Sequence, residues 1–251
     1  MWRRFCRQCL PGHQAPRTRL SSFSSFQTKP STPLHEIDST STHPFENEDD
    51  DENDQERCAR RGLPNVLHPS MLAIPDSITD GGRITLAPVE ASQTKELYDA
   101  IAESRAEVSP WMEWLHPDYS IADTEQWVTH SRKAWETDSM FSFTIVENGT
   151  GQILGGCSIS IDRPLHRNGS LGYWIRTSRT KQGFACEAAS LLTQFGFAQL
   201  GLIRIEIIVA AGNMASQRVA EKVGALREGL LRNRLFIRGE KLDAYVFSLV
   251  R

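Results

Sequence analysis

The stretch LGYWIRTSRTKQGFACEA, residues 171–188, holds the turn on which the reading of the fold rests. Its first half belongs to GSLGYWIR (169–176), a short run with the aromatic and β-branched content of a strand. The run breaks into a polar, basic loop, TSRTKQ, at 177–182. Beyond it, Phe184, Ala188, Leu191, Phe195 and Ala198 recur at spacings of four and three. That spacing predicts a helix over about 183–200 with one apolar stripe. The unit is therefore a strand, a basic turn and a helix that starts at Gly183.

Working outward, IRIEIIVA (203–210) predicts a strand with Ile203, Ile205, Ile207 and Val209 on one face. Gly212-Asn213 closes it, a short helix runs from about Ala215 to Lys222, and Gly224 suits its C-cap. Two more strands, at about 226–237 and 242–250, flank a turn at Arg238-Gly239-Glu240. Upstream, RITLAPV (83–89) reads as a strand, followed by helices at about 93–106 and 122–137. The second of these starts in an Asp/Thr cap region. Phe141, Phe143 and Ile145 alternate with Ser142 and Thr144 as in a half-buried strand. Asn148-Gly149 marks a tight turn, and Cys157, Ile159 and Ile161 alternate with Ser158 and Ser160 in the returning strand. The order βααβββαβαββ predicts an α/β domain of the α+β kind. It has one mixed, mostly antiparallel sheet of about seven strands flanked by four helices.

The charge pattern sets the limits of that domain. Residues 1–35 carry six basic and no acidic side chains, and residues 36–56 carry ten acidic and no Lys or Arg. The remainder is nearly balanced, and nothing in that balance argues for a nucleic-acid binder. Residues 60–251 are expected to form the domain and residues 1–59 a disordered extension. In that extension, ENEDDDENDQE (46–56) repels itself and acts as a linker. The Arg-, Ser-, Thr- and Pro-rich residues 1–45 have the composition of a mitochondrial transit peptide, although Pro11 and Pro16 interrupt any helix. A cytoplasmic protein with a disordered tail is the other reading. No apolar run reaches the length of a membrane span, so neither a membrane nor nucleic acid is an expected partner. The five cysteines, Cys6, Cys9, Cys58, Cys157 and Cys186, lack framework spacing and are read as reduced thiols. Cys6-x-x-Cys9 has no second Cys/His pair nearby, so no metal site is expected.

Three segments carry a likeness: LGYWIRTSRTKQGFACEA (171–188), AGNMASQRVAEKVGA (211–225) and WMEWLHP (111–117). With the strand order, they resemble the GNAT acetyltransferase superfamily over about residues 80–251, specifically its RimJ/RimL-like branch of protein N-terminal acetyltransferases. The resemblance implies a GNAT fold, acetyl-CoA as cofactor and an amine acceptor, with a protein N-terminus as the leading acceptor. A small-molecule amine as acceptor, and a catalytically silent acyl-CoA-binding scaffold, are the rival readings.

The resemblance also implies roles for particular residues. A turn that ends at a helix N-terminus aims several backbone N–H groups at one point, which suits a pyrophosphate. Gly183 and Ala185 leave the backbone open there, and Phe184 follows the turn. Arg176, Arg179 and Lys181 add positive charge to the rim, and Thr180 and Gln182 complete the loop. Thr180 stands where the family carries Gln or Arg. The strand at Tyr173, Trp174 and Ile175 is expected to orient the thioester through its N–H groups, each such donor being typically worth ~3 kcal/mol of barrier. Ser216 matches the serine taken as general acid in this branch, and Asn213 is expected to bond the pantetheine arm. Both also suit a helix N-cap. Trp111 and Trp114 are expected to wall the acceptor groove or, equally, to pack in a core. The branch places a glutamate base where this chain has Leu235, which leaves Glu113, His116 and Glu206 as candidates. Cys186, in the first turn of the helix, is read as buried and inert.

Overall fold

The computed structural model describes residues 75–251. The extension, with its transit-peptide composition, acidic linker and Cys6-x-x-Cys9, lies outside the described residues.

Seven strands form one sheet: β1 (Ile84–Pro88), β2 (Met140–Glu147), β3 (Ile153–Arg163), β4 (Asn168–Ile175), β5 (Arg204–Ala210), β6 (Leu226–Ile237) and β7 (Glu240–Val250). Their spatial order is β1-β2-β3-β4-β5-β7-β6. Every neighbouring pair is antiparallel except β4 and β5. The helices are α1 (Thr94–Glu103), α2 (Arg105–Val108), α3 (Ile121–Glu136), α4 (Phe184–Ala198) and α5 (Met214–Lys222). The expected order holds, with one short helix more than the four expected. Among the described residues no helix is long and apolar enough to cross a membrane.

That extra helix has a local cause. The segment expected as one helix over 93–106 stops at Ser104, whose buried hydroxyl donates to the Ala100 carbonyl (2.7 Å) and accepts the Thr177 N–H (3.0 Å). A serine that bonds its own helix and a distant loop diverts the backbone, and the chain re-enters as α2. The α3 helix begins one residue earlier than expected. Its cap is Ser120, in a capping box with Asp123, whose carboxylate accepts the Ser120 N–H (2.8 Å) and Oγ–H (2.7 Å).

Hydrophobic layers cover both faces of the sheet. On one face Phe141, Phe143, Ile145 and Ile159 meet Phe184, Ala188, Leu191 and Phe195 of α4. Trp135 stands edge-on to Phe141 (4.8 Å) and Phe143 (5.3 Å). On the other, Leu97, Ile101, Val108, Leu115 and Val128 pack with Ile153 and, at the margin, Trp174. Each large side chain so buried contributes about 1.5–3 kcal/mol. The structure corrects three expectations, the first through this double cover. β2 is buried on both faces, Ser142 and Thr144 included, where alternation predicted one wet face. Thr144 is accommodated because its hydroxyl donates to the Ala87 carbonyl (3.2 Å). Ile203 precedes β5 and is exposed, and the α4 stripe ends at Phe195 with Ala198 in solvent. Gly224 follows α5 at φ +85°, the left-handed conformation expected of a C-cap glycine.

Candidate active site

The sheet opens at its centre. β4 and β5 pair only at their starts, through Asn168/Arg204, Gly169/Ile205 and Ser170/Glu206. Past Ser170 the strands part, while β4 stays paired with β3 as far as Ile175 and β5 with β7 as far as Ala210. The Arg176 N–H donates to the Leu154 carbonyl across the β3 side (2.7 Å). Backbone groups alternate sides along a strand, so Trp174 turns toward β3 while Tyr173 and Ile175 aim their N–H groups into the gap. Of the three residues expected to orient a thioester, two therefore present free donors. Trp174 serves instead as a side chain on the opposite face.

Two glycines of β3 seat that part of β4. A Cβ on Gly155 would lie 2.1 Å from the Trp174 carbonyl oxygen, and one on Gly156 would lie 3.0 Å from the Trp174 indole nitrogen. Neither glycine stands out in the sequence, because each contact is with Trp174, 19 and 18 residues further along the chain.

Across the gap stands the N-terminus of α5. Asn213 caps it, its side-chain oxygen accepting the Ser216 N–H at 3.1 Å. This leaves the amide nitrogen of Asn213 for another acceptor. The Tyr173 hydroxyl lies 3.0 Å from Ser216 Oγ and donates to the Ser216 carbonyl at 3.1 Å. Burial pushes the Tyr173 phenol up to about 12, against a smaller opposing effect of the Ser216 bond. The phenol therefore keeps its proton at neutral pH. The sequence points only to the backbone of Tyr173, because the side-chain partnership spans 43 residues of chain. Cys186 is a free, half-buried thiol near the same phenol.

The loop 176–183 is strapped down on both sides. Glu103 accepts from Arg176 Nε (2.9 Å) and from the Ser178 N–H (2.8 Å), and Glu107 accepts from the Thr177 hydroxyl (3.0 Å). Arg179 forks onto Glu147 (2.9 and 3.2 Å) and reaches Gln152 (3.1 Å). Arg176 and Arg179, expected as rim cations, are thus matched by carboxylates and act as struts. Lys181, exposed and at φ +63°, is the loop cation with no ion pair among the described residues. Thr180 bonds the Thr177 carbonyl (2.9 Å) and closes the turn from within. The exposed Gln182 lends its carbonyl to Arg83 (3.0 Å), which also pairs with Glu187 (2.8 Å) and lies over the Phe184 ring.

Gly183 is the N-cap of α4 at φ +91°, a conformation that needs glycine, and no side chain caps the helix. The first N–H groups of α4, at Phe184 and Ala185, are left for an anion at the positive end of the helix dipole. A pyrophosphate fits this open terminus, and an extended thiol arm fits the gap that leads from it toward Ser216.

The Trp-rich segment is placed against both parts of the site. Trp111 packs on Gly212, where an added Cβ would touch its ring at 3.4 Å, and Trp114 packs on Trp174 with 6.3 Å between centroids. The candidate bases are all engaged. Glu113 accepts the Arg238 N–H (2.9 Å), His116 lies 3.5 Å from Asp123, and Glu206 pairs with Arg204 (2.9 Å). Leu235 pairs with Leu242 beside a wide bulge in β6.

Comparison with known proteins agrees with this geometry. The uncharacterised N-acetyltransferase YoaA of Bacillus subtilis (strain 168) is 34% identical over 107 residues, which is 43% of this chain and 60% of YoaA. The chain thus spans under two thirds of that relative's length. A Vibrio cholerae structure provisionally described as a ribosomal-protein-serine acetyltransferase is 31% identical, with a TM-score of 0.62 over 70% of this chain and 97% of that one. RimL, a ribosomal L7/L12 alpha-N-protein acetyltransferase solved with coenzyme A, shares the fold at a TM-score of 0.64 and 19% identity, over 69% of this chain and 97% of RimL. The sequence pattern described as "Acetyltransferase (GNAT) domain" matches residues 83–226. With the parted strands and the uncapped helix behind a glycine turn, that match establishes that the chain belongs to the GNAT acetyltransferase family.

Proposed function

We propose that this protein is an acetyl-CoA-dependent N-acetyltransferase acting on a primary amine, with a protein N-terminus as acceptor. The observation that carries the reading is the Tyr173–Ser216 hydroxyl pair standing across the strand gap from the Tyr173 and Ile175 N–H groups. Acetyl-CoA, when bound, would supply an activated acyl thioester there. The N–H groups of Phe184 and Ala185, with Lys181 on the rim, would hold the phosphates. The Tyr173 and Ile175 N–H groups favour negative charge on a carbonyl oxygen in the gap. Ser216 holds a proton at Oγ for the departing sulfur. The Tyr173 phenol, still protonated and 3.0 Å away, can turn its O–H from the Ser216 carbonyl to Oγ, and the proton shed by the amine nitrogen as the C–N bond forms returns through solvent to Oγ. An α-amino group, with an ordinary pKa of ~7.7–8.0, is partly neutral at physiological pH and needs little base. That agrees with Leu235 at the family's glutamate position and with the engaged Glu113, His116 and Glu206. A lysine side chain, at ~10.4, demands a stronger base. The protein acceptor is further supported by the names of the Vibrio cholerae protein and of RimL.

The test is titration of acetyl-CoA into the purified full chain, followed by mass spectrometry of peptide N-termini offered with the cofactor. Saturable binding that Gly183→Glu removes, and transfer that Ser216→Ala slows more than it weakens binding, are the expected results. Saturable binding without transfer to any peptide or small amine supports the silent scaffold instead.

A further inference from the structure

A second recess lies on the far side of β4 from Ser216. Along that strand Tyr173 turns its side chain to α5, while Gly172 and Trp174 face the segment 112–127. There Met112, Trp114, Tyr119, Trp127 and Trp174 enclose a pocket of about 70 Å³ with Gly172 in its floor. One water needs only ~10–15 Å³, so the pocket has room for a sizeable group. Its walls are almost wholly aromatic and aliphatic. The Tyr119 hydroxyl is already bonded to Thr124 (3.2 Å), and among the lining side chains no carboxylate or cation is present to receive a polar ligand.

We infer that this pocket receives an apolar or aromatic side chain carried next to the reacting amine, so that the enzyme selects acceptors with such a side chain. The inference rests on the acetyltransferase reading above and names its acceptor class. The β4 backbone that floors the pocket is the same stretch whose N–H groups face the strand gap. With the sulfur leaving toward Ser216 on one face of β4, the nucleophile approaches from the other. A substituent on the carbon bearing the amine then falls into the aromatic recess. Gly172 makes room for it, since a Cβ there meets nothing within 4 Å.

The experiment measures kcat/KM with acetyl-CoA for the tetrapeptide amides X-Ala-Ala-Ala, where X is Ala, Ser, Leu, Met or Phe, and for 2-phenylethylamine. A hydrophobic subsite separates substrates by roughly 10-fold or more for each methylene it holds, so Leu or Phe should exceed Ala by at least ~10-fold. In Gly172→Leu, which fills the pocket, that ratio should fall to about two or less with the melting temperature retained. Gly172→Ala should lower it in the same direction by less, and keeps the test decisive if the leucine variant does not fold. Turnover of Ala and Ser peptides with no apolar preference overturns the pocket assignment and leaves the acetyltransferase reading in place. A wild-type preference for butyryl-CoA over acetyl-CoA, cancelled by Gly172→Leu, gives the pocket to the acyl chain and also overturns it. No transfer to any of these amines removes both readings.

Discussion

Replacing Gly155 with alanine, beside the same change at Gly156, tests whether β3 holds the working end of β4 in place. A Cβ on Gly155 meets the Trp174 carbonyl oxygen at 2.1 Å and the Ile175 Cα at 3.0 Å. Both are backbone atoms of the paired strand, so no rotamer relieves the overlap. Carbon and oxygen need ~3.3 Å between them, so the strands must part locally by about 1 Å. That loosens the pairing of Gly155 with Ile175 and of Gly156 with Trp174. Two ladder hydrogen bonds at ~1 kcal/mol each, with ~1–3 kcal/mol for overpacking, come to about 3–5 kcal/mol. For a domain of this size the melting temperature falls by about 6–20 °C. On Gly156 the nearest atom is the Trp174 indole nitrogen at 3.0 Å, part of a side chain that can tilt. That variant should lose no more than about 1.5 kcal/mol. Urea and thermal unfolding read both changes, and titration with acetyl-CoA reads whether displaced β4 donors weaken binding in Gly155→Ala alone. Gly155→Ala within about 1 kcal/mol of wild type, or the two variants equally unstable, refutes the reasoning.

Tyr173→Phe removes the hydroxyl beside Ser216 and should lower kcat about 10-fold, with the acetyl-CoA dissociation constant within about two-fold of wild type. An unchanged kcat means that the phenol serves packing only. Arg176 beside Glu103 holds that carboxyl at about 2, helped by the Ser178 N–H and opposed by burial. The folded pKa lies below the unfolded one, so this stabilisation is complete above about pH 4.5 and is lost as pH falls toward 2. Glu103→Gln should therefore flatten the dependence of stability on pH across that window. Because the pair is partly exposed, it should cost only about 1 kcal/mol or less at neutral pH. Urea unfolding at pH 7, 4.5 and 3 measures this, and identical slopes for both proteins exclude the strut.

Most of the architecture could be read from local pattern. Alternation marked β2, β3 and β5, the four-and-three spacing marked α4, and glycines marked the ends of α4 and α5. These signals are local because a strand or a helix turn repeats within a few residues. The misreadings arose where a distant element set the environment. Ser142 and Thr144 are buried because helices cover both faces of β2, and the helix over 93–106 breaks because Ser104 bonds a loop 73 residues away.

The site divides in the same way. Sequence alone determined the glycine turn before α4, the Asn213 cap with Ser216 three residues on, and the Trp-rich segment, because each is a short stretch with its own backbone requirement. Tertiary structure alone decided that Arg176 and Arg179 are neutralised by Glu103 and Glu147, that Tyr173 stands against Ser216, and that three tryptophans close on Gly172. Those contacts join residues tens of positions apart, and the Tyr173–Ser216 contact spans the gap where β4 and β5 diverge. Neither composition nor spacing records that divergence, since it follows from how far β4 and β5 run side by side before their twist and the packed helices separate them.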